Sequence, residues 1–217
     1  MAGPDPFGEA REGMVARQLR RRGIEDERVL DAMGAVRREL YVPETERERA
    51  YADSALPLAH DQTISQPWVV AAICQGLELG GDETVLEVGT GSGYSAAVLS
   101  LLAERVWSVE RIPELATSAA GVLAEDGRDN VEVVIGDGSR GLPEQAPFDA
   151  IAVHAATPDT PLGLLDQLGE GGRLVAPVAA GNSEVLMAFA REGGDLAQRT
   201  IGPVRFVPLI GEEGFDA

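Results

Sequence analysis

The chain has 217 residues, 44% hydrophobic and 25% charged, the composition of an ordinary globular protein long enough to bury a core without a disulfide or metal staple. Its formal net charge of −18 and pI near 4.4 disfavour non-specific binding to nucleic acid or to an anionic membrane. A single cysteine, Cys74, excludes an internal disulfide, and no apolar run reaches the roughly 18 residues of a membrane helix. "MAGPDPFGEAREG" lacks the basic start and apolar core of a secretory signal, so the expected compartment is the cytoplasm.

Residues 1–10 read as a loose tail. "GMVARQLRRRGI" sets Met14, Val15, Leu19 and Arg22 at helical spacing, and "EDERVLDAMGAV" does the same with Val29, Leu30, Met33 and Val36. The basic run Arg20–Arg22 reads as a solvated helix end, where the dipole favours cations, rather than a nucleic-acid patch. "RELYVPETERERAYADSALPLAHDQ" is irregular, broken by Pro43 and Pro57. From Gln66 the chain changes character: a helix over 67–79, strand 84–88, helix 94–103, strand 105–109, helix 113–125 and strand 131–135. A loop, strand 149–153, a short helix near 162–168 and strand 173–178 follow. This alternation predicts an α/β, Rossmann-like, doubly wound and mostly parallel sheet. "EVLMAFAREGGDLAQRTI" then reads as an antiparallel hairpin turning at Gly193-Gly194. The expected organisation is a tail over 1–10, a helical, substrate-side extension over 11–65, and a cofactor domain with C-terminal cleft strands over 66–217, all in one compact domain.

"TVLEVGTGSGYSAAVLS" carries the strongest local signal. An apolar strand runs into Gly89-Thr90-Gly91-Ser92-Gly93, and a helix begins at once. Glycines permit the tight turn and let a ligand approach the backbone, while the helix start offers free N–H groups. The G-x-G-x-G spacing, with Tyr94 after it, is an imperfect dinucleotide fingerprint. Glu110, followed by Arg111, ends the second strand about 20 residues on, where a ribose-binding acid belongs, and Asp137-Gly138 ends the third. Ligands of open α/β sheets bind outside the carboxyl ends of the strands, so the glycine turn and two acids converge there. S-adenosyl-L-methionine fits this set: it has no pyrophosphate, and its ribose diol, adenine amine and cationic sulfonium all want acceptors. Glu87, on the strand before the turn, either adds negative charge nearby or caps backbone amides of the loop.

"QTISQP", "VLEVGTGSGYSAAVLS", "VWSVERI", "GDGSRGLPEQAPFDAIAVHAA", "LLDQLGEGGRLVAPV" and "PVRFVPLIG" occur in this order, and together they resemble the protein-L-isoaspartate O-methyltransferases over about residues 12–211. The resemblance implies a repair enzyme. It would transfer a methyl group from S-adenosyl-L-methionine, leaving S-adenosyl-L-homocysteine, to the α-carboxyl of L-isoaspartyl residues in damaged proteins and peptides. No metal takes part, and the expected state is a monomer without nucleic-acid or membrane partners. Ser65 matches the family's active-site hydroxyl, with Thr63 a second neutral donor. A carboxylate is already ionised at neutral pH, so the transfer needs positioning rather than a strong base. On local pattern alone Ser65 reads first as a helix N-cap, a role compatible with the one the resemblance implies. The resemblance lines the substrate cleft with Ile64, Ser65, His154, Ala155, Arg205 and Val207, where Arg205 either attracts the substrate carboxylate or forms a surface salt bridge.

Two positions depart from the family pattern: Asp61 stands where glycine is expected before "QTIS", and His154 where threonine is expected in "VHAAT". Asp61 either narrows the substrate range or points into solvent, and His154 is either a neutral packed residue or a substrate contact. These departures are the only hints of an alternative, a peptide-tailoring aspartyl O-methyltransferase acting on one dedicated precursor. A nicotinamide oxidoreductase is disfavoured by the glycine spacing and by the absence of any lysine for a Tyr-Lys pair, and a non-catalytic adenosyl-binding module by the "TIS" segment.

Overall fold

The computed structural model describes residues 5–216. Its centre is a seven-stranded sheet in the order β5-β4-β3-β6-β7-β8-β9. The strands are β3 (Thr84–Val88), β4 (Arg105–Glu110), β5 (Val131–Ile135), β6 (Phe148–Val153), β7 (Leu168–Ala180), β8 (Ser183–Glu192) and β9 (Asp195–Val204). β3 to β7 pair in parallel, whereas β7–β8 and β8–β9 are antiparallel. A separate pair, β1 (Leu56–Pro57) with β2 (Thr63–Ile64), precedes the sheet.

Apolar composition decides which strands are central. β3 and β6 bury nearly every residue because both faces are covered, so they read as apolar runs instead of alternating. The outer face of β9 is polar and exposed, as an edge strand should be. One sheet face, with Val85, Val106, Ala150 and Val175, packs against α3 (Pro67–Leu77) and α4 (Tyr94–Leu99). Leu123 of α5 (Pro113–Glu125) joins the same cluster. The opposite face, with Leu86, Val88, Ile151 and Leu174, is covered by α6 (Leu162–Leu165) and by Leu209 near the C-terminus. Strand order reverses on either side of β3, placing the topological switch point between β3 and β6, where ligands of such sheets bind.

The N-terminal extension joins the first core: Met14, Leu19, Ile24, Leu30 and Met33 pack in one cluster with α3 and the sheet. Helix α1 (Gly8–Gly13) begins inside the segment expected to be tail, then continues as a π-turn over Met14–Leu19 and a 3-10 turn over Arg20–Arg22. This change from α to π to 3-10 geometry differs from the regular helix that the apolar spacing predicts. Arg20 and Arg22 pair with Glu27 and Asp53, which engages two of the three cations of the basic run within the chain. Helix α2 (Glu27–Ala35) is capped by the Asp26 carboxylate, which accepts from the Arg28 and Val29 N–H groups.

Most sheet elements lie where the pattern puts them. α4 is shorter than expected, its last turn tightening at Ser100, whose hydroxyl donates to the Ala97 carbonyl at 2.7 Å. β7 is longer, because Leu168 already pairs with Phe148 across a register shift. The β8–β9 hairpin closes on Gly193-Gly194 with φ of 60° and 87°, the two-residue turn that the dipeptide predicts. Among the described residues no helix is long and apolar enough to cross a membrane, and no group of three or more His, Cys, Asp or Glu could hold a metal ion.

Ile73, fully buried on α3, ties the helix layer to the sheet. Ile73→Ala is expected to lower the unfolding free energy by about 2–5 kcal/mol. Leu196→Ala, on β9 at 42% exposure, should stay within about 0.5 kcal/mol. Urea denaturation measures both, and equal losses would contradict this placement of the core.

Candidate active site

The turn after β3 is shaped by its glycines, each for a different reason. Gly89 and Gly91 have φ of 92° and 54°, in the left-handed region, and both line a cleft at the carboxyl edge of the sheet. Gly93 has φ of 85° and serves packing: a Cβ there would lie 3.3 Å from Ala119 and Leu123 of α5. The cleft is concave and open to solvent on one side, with polar and apolar walls in nearly equal measure. Thr90, Ser92, Glu110, Arg111, Ile112 and Gly138 line one wall of it, and Thr63, Ile64, Ser65, His154, Ala155 and Val207 the other.

The three strand-end acids take different roles. Glu110 lines the cleft, and its two oxygens accept the Gly91 N–H at 2.9 Å and the Ile112 N–H at 3.0 Å. Each oxygen keeps a lone pair for a ligand hydroxyl. Glu87 does not line the cleft. It is fully buried beneath α4, where the hydroxyls of Ser95 and Ser108 donate to its oxygens and Ser108 is in turn 2.6 Å from the Thr90 hydroxyl. It therefore binds hydroxyls, not the loop amides that a capping role requires. Asp137 does not line the cleft either. Its carboxylate accepts from the Ser139 N–H and hydroxyl and, at 2.8 Å, from the Glu212 N–H, so it clamps the C-terminal segment. Burial works to raise its pKa, but these donors win and hold it below the usual value.

Ser65 stands where two clefts meet. It lines the cleft beside the glycine turn and a second one walled by Arg22, Trp68, Arg205 and Phe206. Helix α3 starts with Gln66 as N-cap and Pro67 at its first position, and no side chain caps it. The Gln66 amide reaches Asp53 at 2.6 Å instead. The Ser65 hydroxyl therefore has no capping bond and, among the described residues, no hydrogen-bond partner. Thr63 lines both clefts, and Ile64 is buried behind it. His60 and Asp61 take φ of 58° and 55°, so the position where the family pattern expects glycine does need a left-handed residue. Aspartate tolerates that conformation better than most side chains. Asp61 is exposed and lines neither cleft.

His154 also borders both clefts, yet its Nε2 is buried without a hydrogen bond, 3.5 Å from Glu87 Oε1. Burial pushes the two groups toward their neutral forms: His154 falls to about 4 and Glu87 rises to about 7, the latter against the pull of its serine donors. The contact is consequently not an ion pair at neutral pH. Arg205 is exposed on the second cleft and has no ion pair among the described residues. Val207 accepts from the Ala156 N–H and Leu209 donates to the Ala156 carbonyl, both at 2.8 Å, which fixes the C-terminal segment as a wall shared by the two clefts. Pattern reading missed Gln62, Tyr94, Ile112 and Trp68 as lining residues. The quoted motifs contain the first three and Trp68 follows "QTISQP" directly, but nothing in their spacing tells a lining side chain from a packed one.

A model of the protein-L-isoaspartate(D-aspartate) O-methyltransferase family matches residues 10–214. The chain belongs to that family. A protein-L-isoaspartate O-methyltransferase of Methanoculleus marisnigri is 49% identical over 97% of this chain and 96% of its own length, and one of Myxococcus xanthus 52% identical over 89% and 93%. A solved Plasmodium falciparum structure, a candidate protein-L-isoaspartate O-methyltransferase in complex with S-adenosyl-L-homocysteine, superposes with a TM-score of 0.80 at 25% identity, covering 92% of this chain and 98% of that one. For this member of the family, the buried Glu87 sets a pH dependence. Its folded pKa, about 7, lies above the ordinary 4.5, so its contribution is complete below about 4.5 and is lost as pH rises through 7. Replacing it by Glu87→Gln removes that loss. The stability of the variant relative to the native chain should rise by up to about 3 kcal/mol between pH 4.5 and 7, measured by denaturation at each pH. A difference that stays constant with pH would contradict the burial of a titrating carboxyl there.

Proposed function

We propose that this chain methylates the α-carboxyl of L-isoaspartyl residues in proteins and peptides, with S-adenosyl-L-methionine as donor. The observation that carries the reading is the uncommitted Ser65 hydroxyl at the junction of the two clefts. One cleft has the features a nucleoside-bearing cofactor requires: an open glycine backbone at Gly89 and Gly91, the Glu110 carboxylate for a ribose diol, and Arg111, Ile112 and Gly138 alongside. The other, where Arg205 has no ion pair among the described residues, suits an extended peptide bearing a carboxylate.

When bound, S-adenosyl-L-methionine supplies an electrophilic methyl group. The side chains are left with positioning. The acceptor carboxylate carries its own charge, so no base is needed, in keeping with the neutral, buried His154. Ser65 and Thr63 donate hydrogen bonds to that carboxylate and turn one oxygen toward the methyl carbon. Ile64, Ala155 and Val207 exclude water around it. Arg205 draws the anionic peptide into an otherwise acidic molecule. On this reading the partners are damaged proteins and peptides, and the chain works as a monomer in the cytoplasm.

The test supplies labelled S-adenosyl-L-methionine with matched peptides carrying isoaspartate or aspartate. Transfer is expected to the isoaspartyl peptide alone, and Ser65→Ala should lower kcat/KM by roughly 10- to 100-fold, the loss of one hydrogen bond to a charged group. Equal transfer to both peptides, or full activity in Ser65→Ala, would overturn the assignment.

A further inference from the structure

Arg38 is the largest fully buried side chain of the described residues, and no carboxylate pairs with it. One edge of its guanidinium is spent on backbone: Nε donates to the Ala50 carbonyl at 2.7 Å and Nη2 to the Ser65 carbonyl at 2.8 Å. Its face lies over the Tyr94 ring, 4.5 Å from the centroid. Nη1 is buried without a partner. Tyr94 is the first residue of α4, directly after the glycine turn, and it lines the cofactor cleft.

A buried cation without a counter-ion costs much more than an apolar side chain of the same volume, so filling space does not account for it. What the guanidinium adds is a rigid planar fork. Here the fork spans three segments: the 3-10 turn over Glu44–Arg49 that ends at Ala50, the strand β2 end at Ser65, and the start of α4 behind the glycine turn. The β1–β2 pairing ends at Ile64, and the next anchor is the Gln66 side chain on Asp53. Between them, the Arg38 bond is the hold on the Ser65 main chain.

We propose that Arg38 is a positioning residue for methyl transfer: it sets the distance between the Ser65 segment, which holds the acceptor, and the glycine turn, which holds the donor. The inference rests on the role of Ser65 given above. In-line transfer tolerates little error, and a displacement of about 1 Å can cost on the order of 100-fold in rate. A lysine reaches only one of the two carbonyls, so Arg38→Lys keeps the buried charge and loses the fork.

The experiment is a double-mutant cycle on kcat for an isoaspartyl peptide, with Arg38→Lys, Ser65→Ala and the two combined. The expected result is a fall in kcat of roughly 10- to 100-fold for Arg38→Lys. Its affinity for S-adenosyl-L-homocysteine should stay within about threefold of the native chain. In the Ser65→Ala background Arg38→Lys should lower kcat by less than about threefold, because both changes remove the same placement. Effects that multiply in full would mean that Arg38 acts independently of Ser65 and would overturn the proposal, as would a parallel loss of cofactor affinity and kcat. Should Arg38→Lys not fold, Arg38→Gln takes its place in the same cycle. Full activity in Ser65→Ala alone is a different outcome: it removes the assigned role of Ser65 before Arg38 is reached.

Discussion

The Glu110 carboxylate ties the glycine turn to the neighbouring strand. The N–H groups of the turn are held at three points: Gly89 on the Val109 carbonyl, Gly93 on the Thr90 carbonyl and Gly91 on Glu110, whose anchor alone is a side chain. Glu110 does so from the end of β4, accepting one N–H from the turn at Gly91 and one from Ile112 at the start of α5. The parallel pairing of β3 with β4 sets Glu87 opposite Ser108 and Val88 opposite Val109, which brings the two strand ends level. Once those ends are level, the turn, the acid and the segment after β6 face one cleft. The chemistry then depends on what the N-terminal extension lays across its mouth.

Beneath that surface lies a buried polar layer. Glu87, Ser95, Ser108, Thr90 and His154 contact one another under the turn, and Ser95, Ser108 and Glu87 are closed to solvent or nearly so. Partly satisfied polar layers are costly, and the lone Nε2 of His154 is the weak point of this one. The family pattern expects a threonine there, a smaller group with its own hydroxyl. Histidine fills the space as a neutral ring and in doing so borders both clefts. The departure thus alters the floor of the site without adding a charge at neutral pH.

Much of this was legible in the residues. Apolar runs such as "TVLEV" and "DAIAV", separated by helical patterns, imply a parallel sheet covered on both faces, and the Gly193-Gly194 hairpin follows from turn chemistry. Even the burial of Glu87 was available, since strand alternation sets it on the same face as Val85, under α4. What escaped depends on distant contacts. Asp137 carries the signature of a ligand acid, but its partner lies 75 residues away at Glu212. Ser65 carries the signature of a helix cap, but Pro67 shifts the helix start to Gln66. Arg38 opens the segment "RELYVPETERERAYADSALPLAHDQ", whose irregular pattern carries no local sign of burial, and only the tertiary fold buries it. Local propensity also gave no sign of the π-turn after Gly13, which packing against α3 accompanies.

A structure of the chain with S-adenosyl-L-homocysteine and an isoaspartyl peptide tests the central claim most directly. The account predicts the homocysteine sulfur in the cleft beside Gly89 and Gly91, a ribose hydroxyl on Glu110, and the peptide α-carboxylate within hydrogen-bond reach of the Ser65 hydroxyl. A peptide carboxylate held away from Ser65, or a cofactor seated off the glycine turn, would contradict it.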